Sequence, residues 1–148
     1  MNRDRLKLTL VTGDEIHHQA IGEGLSKIPI PTAFYRFQDC DTLLSYLETH
    51  YSSAYHIVML DMDDPVDGGM ECLMALREIA DYDAIVIIAY NRIVHESTVQ
   101  KIFVEGGNIF FKYPQSKTEF SGLLRKLLMI NWKIYMTGAN RQHFLLRL

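Results

Sequence analysis

HIVMLDMDDPVDGG, residues 56 to 69, is the stretch on which the reading of the chain turns. Its apolar run Ile57-Val58-Met59-Leu60 ends abruptly in acid: Asp61, Asp63, Asp64 and Asp67 fall within seven positions, interrupted by Pro65 and followed by Gly68-Gly69. A short apolar run bounded by turn residues reads as a buried strand. The residues after it, with Met70, Leu73, Met74, Leu76 and Ile79 at helical spacing, read as a helix that Asp67 caps. The acids therefore lie in a loop at the carboxyl end of a strand.

The same alternation runs outward in both directions. Leu6 to Val11 alternates as a strand, and Glu15 to Lys27 reads as a helix with Ile16, Ala20, Ile21 and Leu25 on one side. Ile28-Pro29-Ile30-Pro31 is a connector, because proline does not suit a helix interior. Ala33 to Phe37 is the next strand, followed by a helix from Asp41 to His50. Beyond the acidic loop, Ala84 to Ala89 is apolar on both faces, as a central parallel strand between two helix layers must be. A helix from His95 to Glu105 stops at Gly106-Gly107, and Asn108 to Phe111 is the fifth strand. Ser116 and Glu119 form a capping box for a helix that turns Phe120, Leu123, Leu124, Leu127 and Leu128 inward. Five strands alternating with five helices predict a doubly wound α/β fold with helices on both faces of a parallel sheet. In such a sheet functional groups gather at the carboxyl ends of the strands, where Asp61 stands.

Composition bounds the function. A chain of 148 residues fits one domain. A formal charge of −3 gives no general attraction to nucleic acid or anionic membrane. The longest apolar run, Ala84 to Tyr90, is far short of the ~18 residues of a membrane span. Two cysteines, Cys40 and Cys72, outside any metal-ligand spacing and without a signal peptide, suggest a reducing, cytoplasmic setting.

Three chemistries compete for the aspartates. A calcium loop fails, because its fifth position is Pro65, its sixth Val66 and its twelfth Cys72. A nucleotide site fails for want of a glycine-rich loop after any strand; Val11-Thr12-Gly13-Asp14 offers too few glycines. The third fits: a strand ending in Leu60-Asp61, then Pro65 and the glycines before a helix, resembles the phosphoacceptor segment of bacterial response-regulator receiver domains. The resemblance covers nearly the whole chain. It implies a CheY-like, flavodoxin-like five-stranded sheet in the order 2-1-3-4-5.

The resemblance also implies roles. Asp61 would be the phosphoacceptor, a carboxylate nucleophile, and Mg²⁺ would neutralise the incoming phosphoryl group through oxygen ligands. The family's acidic pair follows the first strand; here Thr12-Gly13 stand there and Asp14-Glu15 come two positions later, so Asp14, Glu15 and Asp63 are the metal candidates. The family's hydroxyl at the end of the fourth strand falls on Ile88 or Ala89, depending on register, neither of which donates a hydrogen bond. Tyr90 stands at or beside the switch aromatic. The family's lysine is Lys112, or is replaced by Tyr113 if Pro114 fixes the register.

The chain then reads as a receiver domain over residues 1–130 and a C-terminal extension over 131–148, packing on the domain or making contacts. The implied partners are a sensor histidine kinase or phosphotransfer protein, a downstream protein target and a second copy of the chain. Val94 to Val104, Asn108 to Phe111 and Ser116 to Leu128 form the expected docking face. The chain is read as a signalling protein rather than an enzyme, beyond self-phosphorylation from a phosphodonor. A phosphorylation-independent pseudo-receiver is the main alternative, and a flavodoxin-like small-molecule binder the more distant one. His17-His18 reads as a solvated helix face, since no partner at i+4 completes a metal site; His95-Glu96 reads likewise. Trp132, Tyr135 and Phe144 read as a hydrophobic clasp or a partner surface.

Overall fold

The computed structural model describes residues 6–51, 56–63, 68–130 and 145–148. Its centre is set by two strands, β3 (His56–Asp61) and β4 (Val86–Asn91), which are buried at every position. Strands apolar on both faces need cover on both sides. β1 (Leu6–Val11) and β2 (Thr32–Phe37) lie to one side of them, and β5 (Ile109–Lys112) to the other. Among the described residues the sheet has six parallel strands, not five. Its order is β2-β1-β3-β4-β5-β6, the last being the two-residue β6 (Leu146–Arg147) against the β5 edge. A strand that short has no periodicity by which to recognise it.

The helices α1 (Glu15–Ser26) and α5 (Lys117–Leu128) cover one face, packing Ile21, Leu25, Leu124 and Leu127 on Leu8, Leu10, Met59 and Ile88. The other face is covered by α2 (Cys40–His50), α3 (Gly69–Glu78) and α4 (Glu96–Val104), with Leu43, Leu73 and Ile102 on Val58, Leu60 and Ile87. Side-chain caps start three helices. Asp14 accepts from the backbone of Ile16 and His17, Asp39 from Thr42, and Ser116 from Glu119. The expected Asp67 cap lies outside the described residues; the N-cap position of α3 is Gly68, with φ +52° and no side-chain bond.

Several expected faces are rotated. Ile16 points to solvent, 73% exposed, and its neighbour His17 is buried instead. In α3 the buried positions are Gly69, Cys72, Leu73 and Leu76, at i, i+3, i+4 and i+7, so Met74 and Ile79 fall at the rim. β4 runs two residues further than its apolar stretch suggests, bringing Tyr90 and Asn91 into the sheet. The two cysteines are not free thiols: Cys40 and Cys72 are joined as a disulfide between the first turn of α2 and α3.

At the amino ends of the strands, Arg77 ties several elements together. It donates to the carbonyls of Gly106, Tyr82 and Ile85 and to Asn108 Oδ1, at 2.8 to 3.2 Å. Asn108 Oδ1 also accepts from Ile87 N–H. Gly106, with φ +104°, makes the turn after α4 that brings its carbonyl to Arg77.

Candidate functional site

Parallel pairing in register puts Asp61 of β3 directly beside Tyr90 of β4, while Thr12 directly follows β1. All three lie at the carboxyl ends of the strands, on the α1–α5 face. Asp61 is 4% exposed and Thr12 fully buried. The Thr12 hydroxyl donates to Asp61 Oδ2 at 2.7 Å and accepts from Asp14 N–H at 3.0 Å. The backbone N–H of Asp63 donates to Asp61 Oδ1 at 2.9 Å. His17 reaches in from the first turn of α1: its Nδ1 lies 3.3 Å from Asp61 Oδ2 and 2.9 Å from the Tyr90 hydroxyl. Both oxygens of the Asp61 carboxylate are thus engaged.

Aromatic rings close the site. Tyr113 stacks on the His17 imidazole at 4.3 Å between centroids and tilts against Tyr90 at 5.6 Å. Tyr90 in turn stacks on Phe111, and Tyr113 meets the edge of Phe120. Burial alone would raise the Asp61 carboxyl; His17, the Thr12 hydroxyl and the Asp63 N–H outweigh it and hold Asp61 below the ordinary carboxylate value. Burial and the charge of Asp61 push the Tyr90 phenol up, and burial with the charges of Asp14 and Asp61 does the same to Tyr113. The site therefore pairs an ionised carboxylate with two neutral phenols.

The candidate metal ligands are committed elsewhere. Asp14 turns its carboxylate to the start of α1, with Oδ2 3.6 Å from His17 Nε2. Glu15 lies on the surface with Arg36 at 2.7 Å and His18 at 3.4 Å. Asp63 accepts from Asn91 Nδ2 at 3.0 Å and from Arg92 N–H at 2.6 Å. Between Asp14 and Asp61 stands the His17 ring, where a cation bridging the two carboxylates would need room. The donor set of the described residues does not fit Mg²⁺, and no group of three acidic, histidine or cysteine side chains able to hold a metal ion occurs among them.

Of the other expected positions, Ile88 is buried two residues back along β4 and Ala89 faces the opposite helix layer, so neither reaches Asp61. Tyr90, in register beside Asp61, does carry a hydroxyl. Lys112 is exposed, and the next residue, Tyr113, is the one that covers the site. His17 escaped the sequence reading because Ile16 beside it looked like the inward residue. Its one available signal was its position three residues past Asp14, which caps the helix that aims it. Asp64 and Asp67, and the aromatic residues Trp132, Tyr135 and Phe144, lie outside the described residues.

No family model and no curated protein matches this chain. Solved structures do match it in fold. The response regulator RPA3017 in red light signaling of R. palustris superposes with a TM-score of 0.74 at 17% identity, over 90% of this chain and 96% of that one. The phosphorylated cyanobacterial phytochrome response regulator RcpA gives 0.73 at 16%, over 83% of this chain and 91% of that one. The Mn²⁺-bound response regulator Rcp1 gives 0.70 at 15%, over 82% and 91%. The chain has the CheY-like receiver fold, extended by one edge strand.

Proposed function

We propose that this protein is a receiver-type signalling module that acts through protein–protein contacts, and that its Asp61 site is a locked structural centre rather than a phosphoryl switch. The observation that carries this reading is the His17 imidazole, wedged between Asp61 and Asp14 beneath Tyr113. A phosphodonor must approach a free carboxylate oxygen, with a cation and a compact donor to take up the charge. Here both carboxylate oxygens are already bonded, and tyrosines fill the places where the family has its hydroxyl and lysine. Output would then pass through a docking face to a downstream protein or a second copy of the chain, with no dependence on a kinase.

The test is incubation of the full chain with acetyl phosphate and Mg²⁺, followed by intact-mass spectrometry. The expected result is an unchanged mass. A single phosphate adduct that Asp61→Asn abolishes would overturn the locked-centre reading; Asp61 would then be a phosphoacceptor, with a sensor histidine kinase or phosphotransfer protein and Mg²⁺ as its partners. A purified protein that absorbs visible light would overturn both readings in favour of a flavodoxin-like small-molecule binder.

A further inference from the structure

The β5 edge carries the second feature that the receiver reading does not explain. An edge strand exposes a row of unpaired backbone groups and is a template for any extended segment. Here the chain's own residues Leu145–Leu148 lie along it. Leu146 N–H donates to the Asn108 carbonyl and Leu148 N–H to the Phe110 carbonyl, each at 3.0 Å. Arg147 projects to α4, where its two terminal nitrogens meet the two carboxylate oxygens of Glu96 at 2.9 and 3.0 Å. Its guanidinium also lies 5.9 Å from the centre of the Phe110 ring. Leu146 and Leu148 pack into the core on the α1–α5 side and Leu145 into the other.

Each part of this contact reads a different property of the segment. The ladder bonds require extended backbone running parallel to β5, and the alternating apolar contacts fix its register. The paired bonds from arginine to Glu96 demand a planar, two-pronged cation, which lysine does not supply. A groove of about 540 Å³ lies alongside, bordered by Lys112, Tyr113, Pro114, Gln115, Lys126 and Leu148. A segment seated on the edge has this groove beside it. Against this selectivity, the hold is short: a ladder on a two-residue strand, flanking leucines that are only partly buried, and an ion pair whose partners are both substantially solvent-exposed. The contact is specific in what it selects and weak in how firmly it is held.

We propose that the β5 edge, with Glu96 and Phe110, is a docking site for an extended segment of a partner protein that carries an arginine between two leucine-like residues. The chain's own Leu145–Leu148 acts as its built-in competitor. Tethered to the same chain, the tail has a high effective concentration and excludes weak or mismatched segments. A partner gains the site by offering the same pattern with additional contacts in the neighbouring groove. This inference does not depend on the chemistry of Asp61.

The probe is a fluorescein-labelled peptide, Phe-Leu-Leu-Arg-Leu, titrated by anisotropy into the full chain. Arg147→Glu sets the chain's own tail against Glu96, and the peptide is expected to bind this variant at least about ten-fold more tightly than the unmodified chain. Adding Glu96→Lys to that variant restores an opposite-charge pair with the reversed tail, so the tail should reclose the edge and binding of the arginine peptide should be abolished. Amide exchange at Leu146 and Leu148 reports whether the edge is open. If the single change leaves these amides protected, the Leu146→Asp, Arg147→Glu double variant opens the edge and receives the same titration. Equal binding to the unmodified chain and the opened variant would overturn the competitor role. An opened edge that takes up no peptide would overturn the site. A dimer in sedimentation that Arg147→Glu dissolves would assign the edge to a second copy and overturn the proposal of a separate partner.

Discussion

Two buried threonines, Thr9 on β1 and Thr12 directly after it, each meet an ionisable residue of β3, at opposite ends and on opposite faces of the sheet. Thr12 donates to Asp61 at the carboxyl end; Thr9 contacts His56 Nε2 at 3.2 Å at the amino end. The outcomes differ. Asp61 has three donors or contacts around it and is held charged. His56 has Thr9, while its Nδ1 meets no hydrogen-bond partner among the described residues. Burial, and then the nearby charge of Lys7, press its pKa down to about 4, so it is held neutral. The same burial thus produces a charge at one end and a neutral ring at the other, according to how many groups solvate it. The charged end is where the fold gathers polar side chains from two strands, the residue after β1 and a helix.

The strongest way to break the comparison is to remove what closes the charged end. Tyr90 is fully buried, and Tyr90→Ala takes away the ring that packs on Phe111 and His17. It should cost about 3–5 kcal/mol in urea unfolding, as large-to-small aromatic changes in cores do. Tyr90→Phe keeps the ring and should cost well under half of that. Near-equal losses would mean that the hydroxyl's contact with His17, rather than the packed ring, holds the site closed.

The next largest effect lies at the amino end and is read by pH. The ordinary histidine value is 6.5 and that of folded His56 about 4. Between these values the unfolded chain takes up a proton that the folded chain refuses, so stability falls as pH drops through this window. The loss should reach about 3 kcal/mol by its lower end. His56→Gln should flatten this limb. Asp61 acts in the opposite charge sense: its folded pKa lies below 3.8, so its contribution is present above the unfolded value and is lost only as pH falls through that lower one. Two separate acid limbs are therefore expected, with the His56 limb first; a single limb unchanged in His56→Gln would refute the assignment.

These two ends were unequally legible in the sequence. The five main strands and both helix layers followed from apolar runs and caps, because burial on both faces leaves continuous stretches such as Ile57–Leu60. Asp61 was legible because charge at the end of such a run is costly unless something partners it. Its partners were not. His17 comes from a helix whose face is blurred by Ile16, Gly22 and Gly24, and its direction is fixed by the Asp14 cap rather than by periodicity. Tyr90 depends on a strand continuing past its apolar core into Asn91, a step decided by pairing with β3. The disulfide rests on the packing of α2 against α3, which a spacing of 32 residues does not encode.

The smallest effect gives the finest comparison, since one substitution can be made at both ends. Thr→Val keeps shape and removes a hydroxyl. At neutral pH, Thr12→Val takes a donor from an ionised, buried carboxylate and should cost about 1.5–3 kcal/mol; Thr9→Val takes a partner from a neutral ring and should cost about 1 kcal/mol. The pH dependence separates them further. Without Thr12 the folded Asp61 pKa rises toward its unfolded value, so less stability remains to be lost as the solution is acidified, and the deficit of Thr12→Val against the unmodified chain should shrink toward low pH. If the two variants lose equal stability at pH 7, and the Thr12→Val deficit stays constant on acidification, then Asp61 is protonated in the folded chain. The contrast between a charged end and a neutral end would fall with it.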